Sequence, residues 1–414
     1  MRRAWWIFGV VSLLFFFITA ATFASLGGVL YGMASELHWS LSAAGSSFAL
    51  LCLACGLASP LPAILMKRIG TRWTMVSGSV ILTIGFALAA VSQSLWVFLV
   101  SSGLMGLGFT LTANIPSVYL LASWFPATAP RIIGFYFMAG ALGGVIGPPL
   151  VNAIVETSGW RTHWAIMAVA AAIIGCLASL VLKDADAPVS QATSDKEAAS
   201  VAGWTPRTAI LTRQFLIIAI TLLVIQTVVT TVHGMIVAHL ARLGATTAFG
   251  ALIMSIIGLS DSVAKGVAGT VTARIGSKRV LVGGILMLCA AVALLAFARA
   301  PLIACAFAVV LGVGWGASWL SANLLLLEYF GRSIAAETVA TASLITTIAI
   351  VGPIAAGHIA DVTGTFVPFF YILAGIMLVT ALVCTTLRSP TLTTSVNRRS
   401  QSPMIETSSA PSRP

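Results

Sequence analysis

Arg68-Ile-Gly-Thr-Arg72 returns 206 residues later as Arg274-Ile-Gly-Ser-Lys278, a short basic turn set between two long apolar stretches each time. Three further matches keep the order and the spacing. Gly106-Leu-Gly108 returns as Gly312-Val-Gly314, again 206 residues on, while Gly147-Pro148 returns as Gly352-Pro353 and Glu156-Thr-Ser-Gly159 as Asp361-Val-Thr-Gly364, both 205 on. Four matches in one order mark an internal duplication: one unit, twice, in the same direction.

Composition says what the unit is made of. The chain has 414 residues, 59% hydrophobic and 8% charged, against roughly 25% charged in soluble domains. Apolar stretches of about 20 residues recur along it, each long enough to cross a ~30 Å hydrocarbon core as a helix. Twelve such spans are expected, at 5–33, 42–66, 73–92, 96–121, 132–155, 164–182, 214–240, 247–271, 280–298, 302–327, 337–358 and 367–387. The expected fold class is therefore all-α integral membrane, with twelve transmembrane helices in two pseudo-symmetric six-helix bundles. Two arginines head the opening run "MRRAWWIFGVVSLLFFFITAATFAS" as they would in a secretion signal. The run continues past Ser25, beyond the ~7–15 apolar residues of a signal core, so it is read as the first span.

The bundles are expected at 1–183 and 213–388, joined by a linker at 184–212 and followed by a tail at 389–414. The linker carries "KDADAPVSQATSDKEAAS", too polar to cross a bilayer. The tail is rich in Ser, Thr and Pro and reads as disordered.

A formal net charge of +11 invites a nucleic-acid reading, but the placement of the basic residues argues against one. With both termini inside, about 18 of them fall in cytoplasmic segments, and the outer loops hold Arg161, Arg242 and Arg299. This is the positive-inside pattern of an inner (plasma) membrane protein. The remaining one, Lys265, lies inside a span.

The six cysteines all fall in apolar spans, so no extracellular disulfide framework is expected, and Cys52-x-x-Cys55 is read as packing. No Walker loop, dinucleotide fingerprint, H-E-x-x-H or G-x-S-x-G appears. ATP-driven transport and hydrolase chemistry are disfavoured, and no enzyme activity, cofactor or metal is expected.

Two parallel six-helix halves on a cytoplasmic linker describe a transporter that rocks one half against the other about a site near the bilayer midplane. This resembles the major facilitator superfamily, whose loop signature the two basic turns are similar to. The usual acid of that signature is replaced by Lys67 in one copy and Ala273 in the other. Several segments resemble the monocarboxylate transporter family more closely: "GLGFTLTANIP", "SWFPATAPRIIGFYFMAGALGGVIGPPL" and "SGWRTHWAI". The sharpest is "GLSDSVAK", in which Gly258, Asp261, Ala264 and Lys265 fall in register with that family's pattern of a glycine, an aspartate and, four residues on, an arginine. Lysine replaces the arginine, a point charge in place of a planar fork. The family's basic residue near the outer end of the first span has no counterpart in "LGGVLYGMASELHWS".

The resemblance implies proton-coupled symport of a small monocarboxylate by alternating access, with a small organic anion, a proton and the bilayer as partners, working as a monomer. The alternative is an organic anion exchanger or exporter of the same superfamily without proton coupling. The residues themselves carry part of this. Four-residue spacing puts Asp261 and Lys265 on one helix face within pairing distance, and each charge near the bilayer centre costs about 2.5–3.5 kcal/mol, which pairing offsets. Asp261 is the candidate proton carrier and Lys265 the candidate carboxylate site. Asn114, Tyr31, Gln226, His233 and Asn323 are polar groups at mid-span depth and candidate cavity-lining residues, although interhelical hydrogen bonding explains such residues equally well. His233 is the rival proton carrier. Trp315 matches a size-limiting aromatic of the family and is expected to narrow the cavity. The glycines 140, 143, 144 and 147 ahead of Pro148-Pro149 read as close helix packing and a hinge.

Overall fold

The structure, a computed structural model, describes residues 2–113, 115–125, 128–184, 205–298, 300–330 and 334–390. Among them every regular element is a helix, as lipid requires of a chain that must satisfy its backbone groups within each span.

Span 1 consists of α1 (Arg2–Ala21) and α2 (Leu26–Leu37). Span 2 is α3 (Leu41–Leu57) together with the start of α4 (Leu61–Ala90), and span 3 is the remainder of α4, which turns at Gly70. Span 4 is α5 (Leu95–Thr112) with α6 (Ile115–Trp124). Spans 5 and 6 are a single long element, α7 (Ala129–Val181), folded at Gly159. After the short α8 (Pro206–Ile210), spans 7 to 10 are α9 (Arg213–Arg242), α10 (Thr247–Ile275), α11 (Ser277–Ala296) and α12 (Pro301–Phe330). Span 11 is α13 (Ala335–Thr346), a 3-10 turn at Thr347–Ile350 and α14 (Val351–Thr363), and span 12 is α15 (Val367–Thr385). By length and hydropathy alone 10 helices qualify as crossings. The two further spans are there: α7 carries a pair, and span 2 is interrupted at residues 58–60.

Both basic turns need their glycines. Gly70 has φ 83° with ψ 166° and its counterpart Gly276 φ 87° with ψ 144°, a region held essentially by glycine alone and costing another residue about 1–3 kcal/mol. At Gly70 there is also no room, since a Cβ would stand 2.4 Å from an Asp184 carboxylate oxygen. That carboxylate accepts the Arg72 backbone N–H at 3.0 Å, at the free end of the span 3 helix, where a negative charge is favoured. The Arg72 guanidinium donates to the Ser179 carbonyl. In the second half Lys278, the equivalent of Arg72, donates to the Leu387 carbonyl at 2.7 Å. Each basic turn thus fastens the start of the third helix of its unit to the end of the sixth.

Two apolar cores result, one built from residues between Ile7 and Leu182 and the other from Ala209 to Leu387. The duplication is visible in their packing. A Cβ on Gly106 would meet the Leu51 carbonyl oxygen at 2.3 Å and the Cys55 nitrogen at 3.2 Å; on Gly312 it would meet the Ile257 oxygen at 2.5 Å and the Asp261 nitrogen at 2.9 Å. Gly108 lies against Gly78 and Leu82, Gly314 against Gly284 and Leu288. All these partners repeat at 206 residues, so the glycines are retained where two helix backbones touch.

The halves meet through spans 1 and 7, 2 and 11, and 5 and 8. A Cβ on Gly27 would lie 2.1 Å from the His233 carbonyl oxygen, and one on Gly45 2.6 Å from that of Pro353. Ser255 Oγ donates to the Val145 carbonyl at 2.5 Å. At the end of the bundle away from the basic turns, two carboxylates complete the contact. Asp361 accepts the Ser42 backbone N–H at 3.0 Å, and Glu156 accepts the Thr247 hydroxyl. Both acids and both donor residues are equivalent at 205 residues, so the same pair of positions closes this end in each half, through a backbone N–H at Ser42 and a hydroxyl at Thr247. A void of about 20 Å³ lies between the halves there. On the same end Glu36 accepts from Trp160 Nε1 at 2.7 Å and pairs with Arg161 at 2.5 Å. The Arg161 guanidinium lies 4.0 Å over the Trp160 ring.

Candidate substrate cavity

Away from the closed end the halves separate around a cavity of about 570 Å³, walled by spans 1 and 5 from one half and 7, 8 and 10 from the other. Its lining reaches Gly134, near the start of α7, and Gly266, on the last third of α10. It therefore extends from mid-bundle toward the basic turns.

Asp261 and Lys265 both line it. Lys265 Nζ donates to Asp261 Oδ2 at 2.7 Å, with the lysine side chain 39% exposed and the aspartate 10%. The second carboxylate oxygen, Oδ1, is buried and has no hydrogen-bond partner. Span 8 can carry this pair against span 10 because Gly312 and Gly316 present bare backbone to it. A Cβ on Gly316 would lie 2.6 Å from the Asp261 carbonyl oxygen.

Trp315 and His233 complete the charged wall. Lys265 Nζ lies 4.7 Å from the Trp315 ring centroid, a cation–π contact worth about 0.5–2 kcal/mol. The His233 ring stands edge-on to the same indole at 5.4 Å. His233 Nδ1 is 2.8 Å from the Val229 carbonyl oxygen; a carbonyl only accepts, so Nδ1 carries a proton. The ammonium thus stands over the face of the Trp315 ring, which lines the cavity.

Of the other candidates, Tyr31, Gln226 and Asn323 are absent from the lining. Tyr31 packs across onto the core of the second half. Asn323 turns its amide back to the Trp319 carbonyl of its own helix at 2.8 Å. Gln226 is half-buried on α9. Tyr31 is thus engaged in packing and Asn323 in a bond within its own helix. Asn114 lies outside the described residues.

The sequence reading missed the opposite wall. Phe15, Thr19 and Phe23, spaced by four on span 1, face the cavity with Phe137 and Met138 of span 5. Gly140 is needed for this: a Cβ there would stand 2.1 Å from the Phe15 ring. The four-residue spacing was the available signal, weakened because span 1 is apolar on every face.

The comparisons with known proteins agree with this architecture. The Major Facilitator Superfamily pattern matches residues 11–260 and 227–413. The chain belongs to that superfamily. The structure of the nucleoside transporter NupG superposes with a TM-score of 0.77 at 15% identity, covering 93% of this chain and 98% of that one. A D-xylose-proton symporter superposes at 0.72 and 18% identity, covering 92% and 97%. At such identities the likeness is one of fold. Among curated relatives, the fujikurins efflux protein of Gibberella fujikuroi is 24% identical over 132 residues, 31% of this chain and 28% of its own length. A Yersinia pestis protein named "Putative multidrug resistance protein MdtD" is 27% identical over 119 residues, 28% of this chain and 25% of its own. The chain thus matches about a quarter of the length of these relatives. It is a multi-pass transporter of the major facilitator superfamily and not an enzyme.

Proposed function

We propose that this facilitator moves a small organic monocarboxylate together with a proton, by alternating access, in a manner similar to the monocarboxylate transporter family. The observation that carries the reading is the 2.7 Å Asp261–Lys265 pair on the wall of the central cavity. The pair is held by mutual neutralisation: the Asp261 carboxylate is buried and the Lys265 ammonium beside it offsets the cost of its charge. Protonation of Asp261 removes that neutralisation and leaves Lys265 as a cation facing the cavity. A carboxylate entering from the cavity takes the place of the aspartate. The loaded protein then carries no more charge than the empty one, and both states can reorient without moving net charge through the membrane.

Following the positive-inside pattern, both termini and the basic turns lie in the cytoplasm of a cell whose inner membrane holds the protein. The cavity then faces the cytoplasm and the paired carboxylates Glu156 and Asp361 close the outside. Asp261 has the proton role and Lys265 the anion role; His233 stands on the same wall, with Nδ1 bonded to its own helix.

A second reading has its own support. Two of the curated relatives bear names of efflux and drug resistance, which favours an exporter or exchanger of an organic anion that uses Lys265 without proton coupling.

Uptake of labelled lactate, pyruvate, acetate, hydroxybutyrate, benzoate and oxalate into proteoliposomes under an inward proton gradient separates them. Symport gives gradient-dependent accumulation of one monoacid, lost in Asp261→Asn and weakened in affinity in Lys265→Ala. Saturable counterflow indifferent to the gradient supports exchange. Normal transport by both variants removes the pair from the mechanism.

A further inference from the structure

The two walls of the cavity differ in chemistry, and the difference restricts the body of the substrate. The second half contributes Asp261, Ser262, Lys265 and His233. Among the described residues, the first half lines the cavity with no charged group and a single hydroxyl, that of Thr19, whose oxygen is buried without a hydrogen-bond partner. Its surface is otherwise apolar, with Phe15, Phe23 and Phe137 as its large groups.

These rings are held in place from behind. Phe15 stacks on Tyr136 with centroids 4.6 Å apart and an interplanar angle of 19°, and meets Phe137 edge-on at 6.1 Å. Phe23 stands edge-on to Phe109 at 4.8 Å and to Phe48 at 6.3 Å. The absence of a side chain at Gly140 seats the Phe15 ring against span 5. The wall is preorganised, so a ligand need not order it on binding.

We infer that the transported anion is single-headed with an aromatic or comparably bulky apolar body: its carboxylate meets Lys265 while its body lies on the Phe15, Phe23 and Phe137 face of the other half. The inference rests on the proposed role of Lys265. A ring offered to that face buries apolar surface and gains stacked or edge-on contacts with fixed rings. A second carboxylate or a row of hydroxyls would lie among phenyl groups with one hydroxyl to bond, which penalises dicarboxylates and polyols. Because the two ends of such an anion touch different halves, its binding couples them across the cavity.

The test is binding to the purified full-length protein by isothermal titration calorimetry, with benzoate, phenylacetate, acetate, lactate and phthalate as separate ligands. Expected is a dissociation constant for benzoate and phenylacetate at least about tenfold below those for acetate, lactate and phthalate. Phe15→Leu combined with Phe23→Leu should narrow that ratio to within about threefold, and Lys265→Gln should weaken the aromatic acids. Acetate or lactate binding as tightly as benzoate, with Lys265→Gln still weakening them, overturns this inference and leaves the site reading intact. An unchanged aromatic preference in the leucine variants overturns the assignment of the wall. If no carboxylate binds, or Lys265→Gln changes none of the constants, the role of Lys265 falls and the inference with it.

Discussion

Replacing Glu156 and Asp361 together by alanine should open the end of the bundle that they close. Asp361 accepts the backbone N–H of Ser42, the second residue of α3, and Glu156 accepts from Thr247, the first residue of α10. Each carboxylate belongs to one half and each helix start to the other, so both contacts must break when the halves part at this end. A hydrogen bond to a charged group contributes about 1.5–3 kcal/mol when buried, and a carboxylate at a helix N-terminus about 0.3–1 kcal/mol. Both sites are exposed, and water and salt screen them, so about 1 kcal/mol each is the appropriate figure. Two of them amount to about 2 kcal/mol, or roughly a 30-fold change in the ratio of closed to open molecules. Single variants should each change it about fivefold and combine additively, since the sites share no partner. Spin labels on Ser158 and Val362, exposed residues of opposite halves at this end, report the separation in a cysteine-free background. The double variant should move population from the short distance to a longer one, and high salt should produce part of the same shift in the wild type. A distance distribution for the double variant that superimposes on that of the wild type would refute the latch.

Three other outcomes follow from the packing and the charge pair. Gly316→Ala puts a Cβ 2.6 Å from the Asp261 carbonyl oxygen and should destabilise the protein by about 1–3 kcal/mol through overpacking; thermal unfolding in detergent reads this, with Gly103→Ala, which meets nothing within 4 Å, as the neutral control. Gly70→Ala adds a clash with Asp184 to an unfavourable φ, whereas Gly276→Ala has the φ alone, so Gly70→Ala should lower the unfolding temperature more. Uptake of the transported monoacid should rise as external pH falls, because protonation of Asp261 frees Lys265, and Asp261→Asn should flatten that profile; a wild-type profile with no acid limb counts against the proton role.

The fold was legible in the sequence because the features that set it are repeated and physically obligatory. Lipid forces helices, and the basic turns and glycine pairs recur at a fixed offset because helix backbones touch at those points in each half. The division into spans was less legible. Chain continuity hides it at α7, where Gly159 reverses direction within a single run of helix, and at span 2, where residues 58–60 interrupt an otherwise apolar stretch. In the site, Asp261 and Lys265 announced themselves because charge inside a span is expensive. Asn323 did not sort itself by sequence, because an amide that bonds back to its own helix and one that faces a cavity occupy the same depth. Phe15 and Phe23 were invisible for the opposite reason: an aromatic ring is at home against lipid, core or ligand.

The internal duplication separates what the two halves share from what they do not. The glycines that set helix contact are common to both, and Gly106 meets Cys55 as Gly312 meets Asp261. The chemistry is not common. At the offset of those contacts Asp261 corresponds to Cys55, Lys265 to Ser59 and Trp315 to Phe109. One scaffold therefore presents a charged wall in its second copy, where the first copy has Phe109 packed behind the Phe15 and Phe23 rings. A rocking mechanism needs mechanical symmetry, since each end must close as the other opens, and the paired Glu156 and Asp361 contacts supply it at one end. Recognition of a single-headed anion needs the reverse, a site whose two walls differ. Duplication followed by divergence at the 55/261, 59/265 and 109/315 positions, with the contact glycines held fixed, satisfies both requirements within one chain.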